Sequence, residues 1–281
     1  MILVADSGSS KCDWVLTDGQ QAPIAFKTAG LNPNYVSEVE IVTILSPVFK
    51  TLATDTVTHL FFYGAGCSTD ESRDIVKNAM ARLLKNAEIK ISHDLEGSAI
   101  ATCGNDEGIA CILGTGSNVC HWDGHKIKEQ IPVFGMGYIL GDDGSGSHLG
   151  KTLLRKFLYN ELPQELRNEL LQTGLNKDVI VEHTYLKPGA NVFIAGFSEF
   201  VAKHIAHPFI NEMVMECFDT FFKTHILKYS YQSVPVNFVG SIAYVFSDQL
   251  KAVAKNYGAE IKTIIRQPIE RLVTYHLVSL P

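Results

Sequence analysis

Two short turns rich in glycine and hydroxyl residues have the composition of phosphate-binding loops. DSGSSK (residues 6–11) follows the apolar run 2–5, and GTGSN (residues 114–118) follows the apolar run 109–113. Small residues in a tight turn present several backbone N–H groups to an anion, with no side chains in the way. One such turn alone would be typical of an ordinary β-hairpin. Two of them, each after a predicted buried strand, predict a polyphosphate held from both sides.

Side chains in these turns add to the predicted chemistry. Ser10 and Thr115 supply hydroxyl groups, and Lys11 supplies a cation. Asp6 stands at the end of the first predicted strand. Its carboxylate can hold Mg²⁺ through water, because this hard cation prefers oxygen ligands.

A third candidate is Asp94, which lies between a predicted strand (90–93) and a predicted helix. Ligand sites in α/β proteins gather at the carboxyl ends of strands. A carboxylate there can accept the proton of a hydroxyl group during phosphoryl transfer. Aspartate is also a common helix N-cap, so the local sequence leaves both roles open.

Two further glycine-containing segments are candidates for ligand contact. In GMGYILGDDGS (residues 135–145), the carboxylates of Asp142 and Asp143 can bond vicinal sugar hydroxyls or simply cap the next helix, and glycines flank Met136. Gly240 follows a predicted strand, where its bare backbone can pack against an adenosine ring. Tight packing of helix against strand would require the same glycine.

Two common nucleotide motifs are excluded. Gly150-Lys-Thr resembles the end of a Walker A loop, which needs four residues between its first glycine and the Gly-Lys pair. Gly146 leaves three residues and Gly144 leaves five. No GxGxxG sequence follows a predicted strand, which argues against a dinucleotide-binding domain.

The elements that position these residues form a repeat. Strand, small-residue turn, strand and Asp-Gly turn occur at residues 2–19 and again at 109–124. The remaining pattern alternates strands and amphipathic helices, as in α/β proteins. We therefore predict two related α/β domains, 1–108 and 109–265, with the C-terminal helix 266–281 as a candidate to complete the first.

Composition narrows the class of protein. The 281 residues carry 24 Lys and Arg against 30 Asp and Glu, a formal charge of −6. An acidic chain without a basic cluster is not expected to bind nucleic acid or an anionic membrane. The apolar start ends at Asp6, too early for a signal peptide. Six cysteines without a CxxC pair indicate reduced thiols, and we expect a cytoplasmic protein.

The order of DSGSSK, SHDLEGS, GTGSN, GMGYILGDDGS and FVGSIA resembles the N-acetylglucosamine kinase branch of the BadF/BadG/BcrA/BcrD ATPase family. That branch belongs to the actin, sugar kinase and Hsp70 superfamily. The resemblance runs from residue 1 to about residue 257 and implies two ribonuclease-H-like (actin-like ATPase) domains, with ATP and a sugar in the cleft between them. The zinc motif of the related ROK sugar kinases is absent from the sequence.

The resemblance also implies roles for individual residues. Those implied to bind ATP or its metal are Gly8, Ser10, Lys11, Thr115, Gly116 and Gly240, with Asp6 near Mg²⁺. Those implied to act on the sugar are Asp94 as catalytic base, Asn34 and Asp142 at its hydroxyls, and Gly135, Met136 and Gly137 near its acetamido group. Animal members of the branch have tryptophan where this chain has Met136.

These observations predict an ATP-dependent hexosamine kinase that phosphorylates the 6-hydroxyl of N-acetylglucosamine or a related amino sugar. Its partner would be that small molecule, with no nucleic acid or membrane involved, and a homodimer is left open. Two alternatives belong to other classes: an ATPase that activates another enzyme, as in other branches of the family, and a non-catalytic nucleotide or sugar sensor.

Overall fold

The computed structural model describes residues 1–8, 10–129 and 136–279. They group into two compact units. The first contains Met1–Asp106, Gly124–Lys126 and the C-terminal segment that begins at Gln267, and the second contains Glu107–Asp123 and Ile127–Arg266. The C-terminal helix therefore lies in the first unit.

The first unit is a five-stranded sheet with helices on its faces. Its strands are β1 (Ile2–Ser7), β2 (Lys11–Thr17), β3 (Ile24–Ala29), β4 (His59–Gly64) and β5 (Glu88–His93), in the order β3-β2-β1-β4-β5. Its helices are α1 (Glu38–Phe49), α2 (Asp70–Leu83), α3 (Asp94–Cys103) and the C-terminal α13 (Ile269–Ser279). β1, β2 and β3 are antiparallel, whereas β4 and β5 run parallel to β1.

The core of this unit is built from the apolar residues of the strands and from α1 and α2. Trp14 is fully buried, and its ring lies 5.7 Å from that of Phe26 and 5.5 Å from that of Phe49. Helix α2 begins at Asp70 because Thr69 and Ser72 form a capping box before it. The sheet is thus covered on this face by helices that end or begin near its carboxyl edge.

The second unit contains another five-stranded sheet. Its strands are β6 (Gly108–Leu113), β7 (Ser117–Trp122), β8 (Ile127–Glu129), β9 (Val236–Val239) and β10 (Ile261–Ile265), in the order β10-β9-β6-β7-β8. Its helices are α4 (Gly137–Leu140), α5 (Gly146–Leu158), α6 (Gln164–Gln172), α7 (Lys177–Val181), α8 (Ala190–Gly196), α9 (Ser198–Lys203), α10 (Pro208–Thr224), α11 (Ser241–Val245) and α12 (Ser247–Asn256).

Both sheets have the same topology. In each, the first strand of the unit is central, with two antiparallel strands on one side and two parallel strands on the other. This is the arrangement of ribonuclease-H-like, actin-like ATPase domains, so the predicted fold class and the internal repeat are confirmed. Within the described ranges, no helix is long and apolar enough to cross a membrane.

Candidate active site

The first turn (residues 6–11) joins β1 to β2. Ser7 pairs with Cys12 at the end of the hairpin, and the N–H of Gly8 donates to the carbonyl of Lys11 at 2.9 Å. Gly8 and Ser10 are exposed. The structure therefore places the predicted phosphate-binding residues of this turn at an accessible loop on the carboxyl end of β1.

Lys11 is part of a small charge network. Its Nζ lies 2.8 Å from one carboxylate oxygen of Asp13, and Nζ of Lys27 lies 3.1 Å from the other. Burial acts to raise the pKa of Asp13, but hydrogen bonds and charges from both lysines outweigh it, so its pKa falls below the usual value. Because Lys27 also neutralises Asp13, the half-exposed Lys11 can leave it for an anionic ligand.

Asp6 faces Asp13 across the hairpin, since the two residues are paired in the β1–β2 register. Burial raises the pKa of Asp6 to about 7, with further contributions from the negative charges of Asp94 and Asp13. Among the described residues, no three metal-ligating side chains surround a common point. A buried carboxyl group with the negative charge of Asp94 near it fits a hydrated Mg²⁺, which keeps several of its waters.

Asp94 lies at the same edge of the sheet. Ser7 is in register with Gly64, and Gly64 with His93, so β1, β4 and β5 end side by side. The charge of Asp94 raises the pKa of Asp6, and it adds to burial in raising the pKa of Cys67 to about 12. The structure thus brings Asp94 near both the first turn and the loop that follows β4.

The alternative role of Asp94 as a helix N-cap is wrong. Asp94 is the first residue of α3, and His93 is the N-cap: its Nδ1 accepts the N–H of Leu95 at 3.2 Å. Oδ1 of Asp94 is buried and lies 3.0 Å from Nδ1 of His93. The carboxylate of Asp94 therefore does not cap α3. The positive end of the helix dipole favours the negative charge of this carboxylate.

Asn34 is held at the same edge by a turn. Its N–H donates to Oδ1 of Asn32 at 3.0 Å. A Cβ on Gly66 would lie 2.1 Å from Oδ1 of Asn32 and 3.1 Å from Nδ2 of Asn34, and Gly66 has a φ of 82°. Gly66 precedes Cys67, whose pKa is raised by burial and by the charge of Asp94. Sequence reasoning missed the contribution of Asn32 and Gly66, although a glycine after β4 was a visible signal.

The second turn (residues 114–118) is fixed against the start of α5. The carbonyl of Thr115 accepts bonds from the N–H and the Oγ of Ser147, at 3.0 Å and 2.7 Å. The carbonyl of Gly114 accepts the N–H of Gly146 at 2.9 Å. Oγ of Ser117 is buried and has no hydrogen-bond partner among the described residues.

Asp142 contacts this second turn directly. Its Oδ1 accepts the N–H of Ser117 at 3.0 Å, and a Cβ on Gly116 would lie 2.8 Å from the same oxygen. Asp142 has a φ of 58°, which is uncommon for a residue other than glycine. Such a backbone conformation persists only where the surrounding structure stabilises it. Burial raises the pKa of its carboxyl group. Asp142 thus lies in the second unit, whereas Asn34 and Asp94 lie in the first.

Gly240 belongs to the same region of the second unit. It directly follows β9 and precedes α11, its φ is 131°, and a Cβ there would clash with the carbonyl oxygen of Leu113. The close packing that the sequence allowed is therefore present. It places Gly240 directly beside the residue that precedes the second turn.

No family model and no curated protein matches the chain, but solved structures do. A protein from Porphyromonas gingivalis, named a putative N-acetylglucosamine kinase, is 37% identical, with a TM-score of 0.94 over 99% of each chain. The chain belongs to the N-acetylglucosamine kinase-like family. The predicted resemblance is thereby confirmed at the level of the family.

More distant structures share the fold of this family. A protein from Chromobacterium violaceum, also named a putative N-acetylglucosamine kinase, is 14% identical, with a TM-score of 0.71 over 99% of this chain and 98% of the other. A ROK family glucokinase from Streptomyces griseus, solved with glucose and AMPPNP, is 13% identical, with a TM-score of 0.56 over 99% and 98%. At these identities the likeness shows the fold alone.

Two further residues implied by the family resemblance, Met136 and Gly137, lie at the start of α4. Met136 immediately precedes this helix and is 54% exposed, and Gly137 has a φ of 74°. Nζ of Lys151 donates to the carbonyl of Tyr138 at 3.0 Å, which ties the short helix to α5. Gly135 lies outside the described residues.

Proposed function

We propose that this chain is an ATP-dependent kinase that transfers the γ-phosphoryl group to the 6-hydroxyl of N-acetylglucosamine or a closely related amino sugar. The observation that carries the proposal is the placement of Asp94. It lies on the edge of the sheet that also holds Asp6 and the first turn, and its carboxylate, which lies 3.0 Å from Nδ1 of His93, does not cap α3. The name of the 37% identical relative supports the amino sugar as substrate.

In this proposal the backbone and hydroxyl groups of the two turns bind the phosphates of one ATP molecule. Gly8, Ser10 and Lys11 act from the first turn, and Thr115 and Gly116 act from the second, with Gly240 against the adenosine. AMPPNP in the Streptomyces griseus glucokinase supports ATP as the nucleotide. Mg²⁺ bound with the nucleotide supplies neutralisation of the phosphate charge. Asp6 holds the waters of that ion.

Asp94 acts on the sugar. Asn34 and Asp142 orient the sugar through its hydroxyl groups, and Met136 and its flanking glycines, Gly135 and Gly137, contact the acetamido group. As the sugar oxygen bonds to the γ-phosphorus and the bond from phosphorus to the bridging oxygen breaks, Asp94 takes the hydroxyl proton and ADP leaves. Positioning and electrostatic stabilisation supply most of the rate, and the base contributes about 10²–10⁴-fold.

ADP release measured with a panel of sugars tests the proposal. We expect release that depends on N-acetylglucosamine, and ³¹P and ¹H NMR of the product should show the phosphate on O6. N-Acetylglucosamine lacking its 6-hydroxyl is the matched control and should bind without turnover. Release that is equal without sugar would indicate an activator ATPase instead. Nucleotide binding with no turnover under any condition would indicate a sensor.

A further inference from the structure

His93 contacts the proposed base directly. Its Nδ1 lies 3.0 Å from Oδ1 of Asp94, and the same nitrogen lies 3.2 Å from the backbone nitrogen of Leu95. An Nδ1 without hydrogen would accept the N–H of Leu95, but its lone pair would then face the lone pairs of an ionised carboxylate oxygen. A hydrogen between Nδ1 and Oδ1 turns this repulsion into a charge-assisted hydrogen bond.

The chain offers a second histidine that caps a helix and contacts a carboxylate. Nδ1 of His207 accepts the N–H of Phe209 at 3.1 Å at the start of α10, while its Nε2 lies 3.0 Å from Oε1 of Glu165. In His207 the capping nitrogen and the carboxylate lie at opposite sides of the ring, so the two contacts do not compete. In His93 both contacts fall on the same nitrogen, which a cap does not require.

We propose that His93 Nδ1 and Asp94 Oδ1 share one hydrogen atom, which makes His93 a positioning residue for Asp94. The shared hydrogen fixes Oδ1, which is buried, and leaves the rest of the carboxylate, whose side chain is 24% exposed, to meet the hydroxyl group of the sugar. The N–H of Leu95 then loses this acceptor, which costs stability at the start of α3 because Leu95 is fully buried. The catalytic consequence rests on the proposed function, whereas the shared hydrogen does not.

The hydrogen can be located without substrate by NMR of protein labelled with ¹⁵N-histidine, because protonated and bare ring nitrogens have different shifts. The His93 signal is assigned by its loss in His93→Ser. We expect the hydrogen on Nδ1 in the wild type and on Nε2 in Asp94→Asn, where the new amide can donate to Nδ1. A wild-type His93 whose Nδ1 carries no hydrogen would overturn the proposal, whatever reaction the protein catalyses.

Kinetics test the consequence for Asp94. Serine is a strong N-cap, so His93→Ser keeps the cap but has no group that reaches Oδ1. We expect His93→Ser to lower kcat about 10- to 100-fold, the range for a hydrogen bond to a charged group, with KM for ATP nearly unchanged. His93→Asn, whose amide can replace Nδ1, should recover part of kcat.

His207→Ser is the matched control and should retain wild-type kcat and KM. Wild-type kcat in His93→Ser, in a protein that does show sugar-dependent ADP release, would overturn the positioning role alone. Absence of sugar-dependent release from the wild type would instead overturn the proposed function, and the NMR result would still decide the shared hydrogen.

Discussion

Tyr63 Oη lies 2.8 Å from His276 Nε2, so a hydrogen bond joins β4 to the C-terminal helix α13. The ring of His276 also stacks on Phe61, with centroids 3.6 Å apart. Tyr63 packs in turn against Gly97 of α3, where a Cβ would lie 2.7 Å from the tyrosine ring. Helix α3 begins with Asp94, so the last helix of the chain supports the strand on which the proposed catalytic helix rests.

The buried histidine makes stability depend on pH. Burial, and then the charge of Lys90, lowers the pKa of His276 from 6.5 to about 4. The unfolded state therefore binds the proton more readily, and stability that is present above about pH 6.5 is lost as the pH falls towards 4. Between about pH 7.5 and 4.5, we expect the wild type to lose up to about 3 kcal/mol more than His276→Gln.

Urea unfolding at the two pH values measures this difference. His59→Gln is the control, because His59 stacks on the same Phe61 but its side chain is 32% exposed. It should show the pH dependence of the wild type. Parallel losses in wild type and His276→Gln would contradict the assignment of the effect to this buried ring.

Asp94→Asn tests the proposed base. The amide keeps the size of the side chain but cannot take up the hydroxyl proton. We expect kcat to fall by about 10²–10⁴-fold. The Kd for ATP, measured by calorimetry, should be unchanged. A variant with near wild-type turnover would remove Asp94 from this role.

Lys11→Gln and Lys27→Gln form a matched pair, since both lysines contact Asp13 but only Lys11 belongs to the first turn. If Lys11 moves from Asp13 to the phosphates, its loss should raise the Kd for ATP about 10-fold, the lower range for a charged hydrogen bond. Lys27→Gln should change that Kd less than about twofold, within the scatter of exposed ion pairs. Equal effects of the two substitutions, measured by calorimetry, would argue against a phosphate contact by Lys11.

Gly116→Ala should weaken ATP binding through Asp142. The added Cβ would lie 2.8 Å from the carboxylate, which must shift and lose its bond from the N–H of Ser117. We expect a Kd for ATP raised on the order of 10-fold, because one charged hydrogen bond and the turn geometry are both disturbed. Gly196→Ala, at a helical position with open space for the methyl group, controls for the substitution itself. Unchanged ATP affinity in Gly116→Ala would show that the turn does not touch the nucleotide.

Gly66→Ala should act on the sugar. A methyl group there strains the left-handed backbone and collides with Asn32, which holds Asn34. We expect KM for the sugar to rise at least several-fold while the Kd for ATP stays within about twofold, because lost positioning contacts act through binding. Gly104 also has a positive φ, of 62°, but a Cβ added there would have no atom within 4 Å. Gly104→Ala therefore reports the backbone strain alone. Similar kinetics in the two variants would indicate that Asn34 does not contact the sugar.

Much of the fold could be predicted from the sequence because the deciding signals are local. The apolar runs 2–5 and 109–113, each followed by a small-residue turn, define β1 and β6 and the hairpins that follow them. The repeat of that pattern predicted two related domains, and both sheets have one topology. The position of Asp94 at a strand end also followed from a few consecutive residues.

Contacts between distant residues were decided by the tertiary structure alone. The sequence contains Asp6, Asp13 and Asp94, but only the tertiary structure buries Asp6, which raises its pKa to about 7, and brings the charges of Asp94 and Asp13 close enough to add to that shift. Likewise, Gly66 meets Asn32 in the first unit, and Asp142 meets Gly116 in the second, because segments far apart in sequence pack together within each unit. Backbone propensities act over a few neighbouring residues, whereas these distances depend on how whole strands and helices pack together. The residue types of the proposed chemistry were therefore visible in the sequence, and their partners were not.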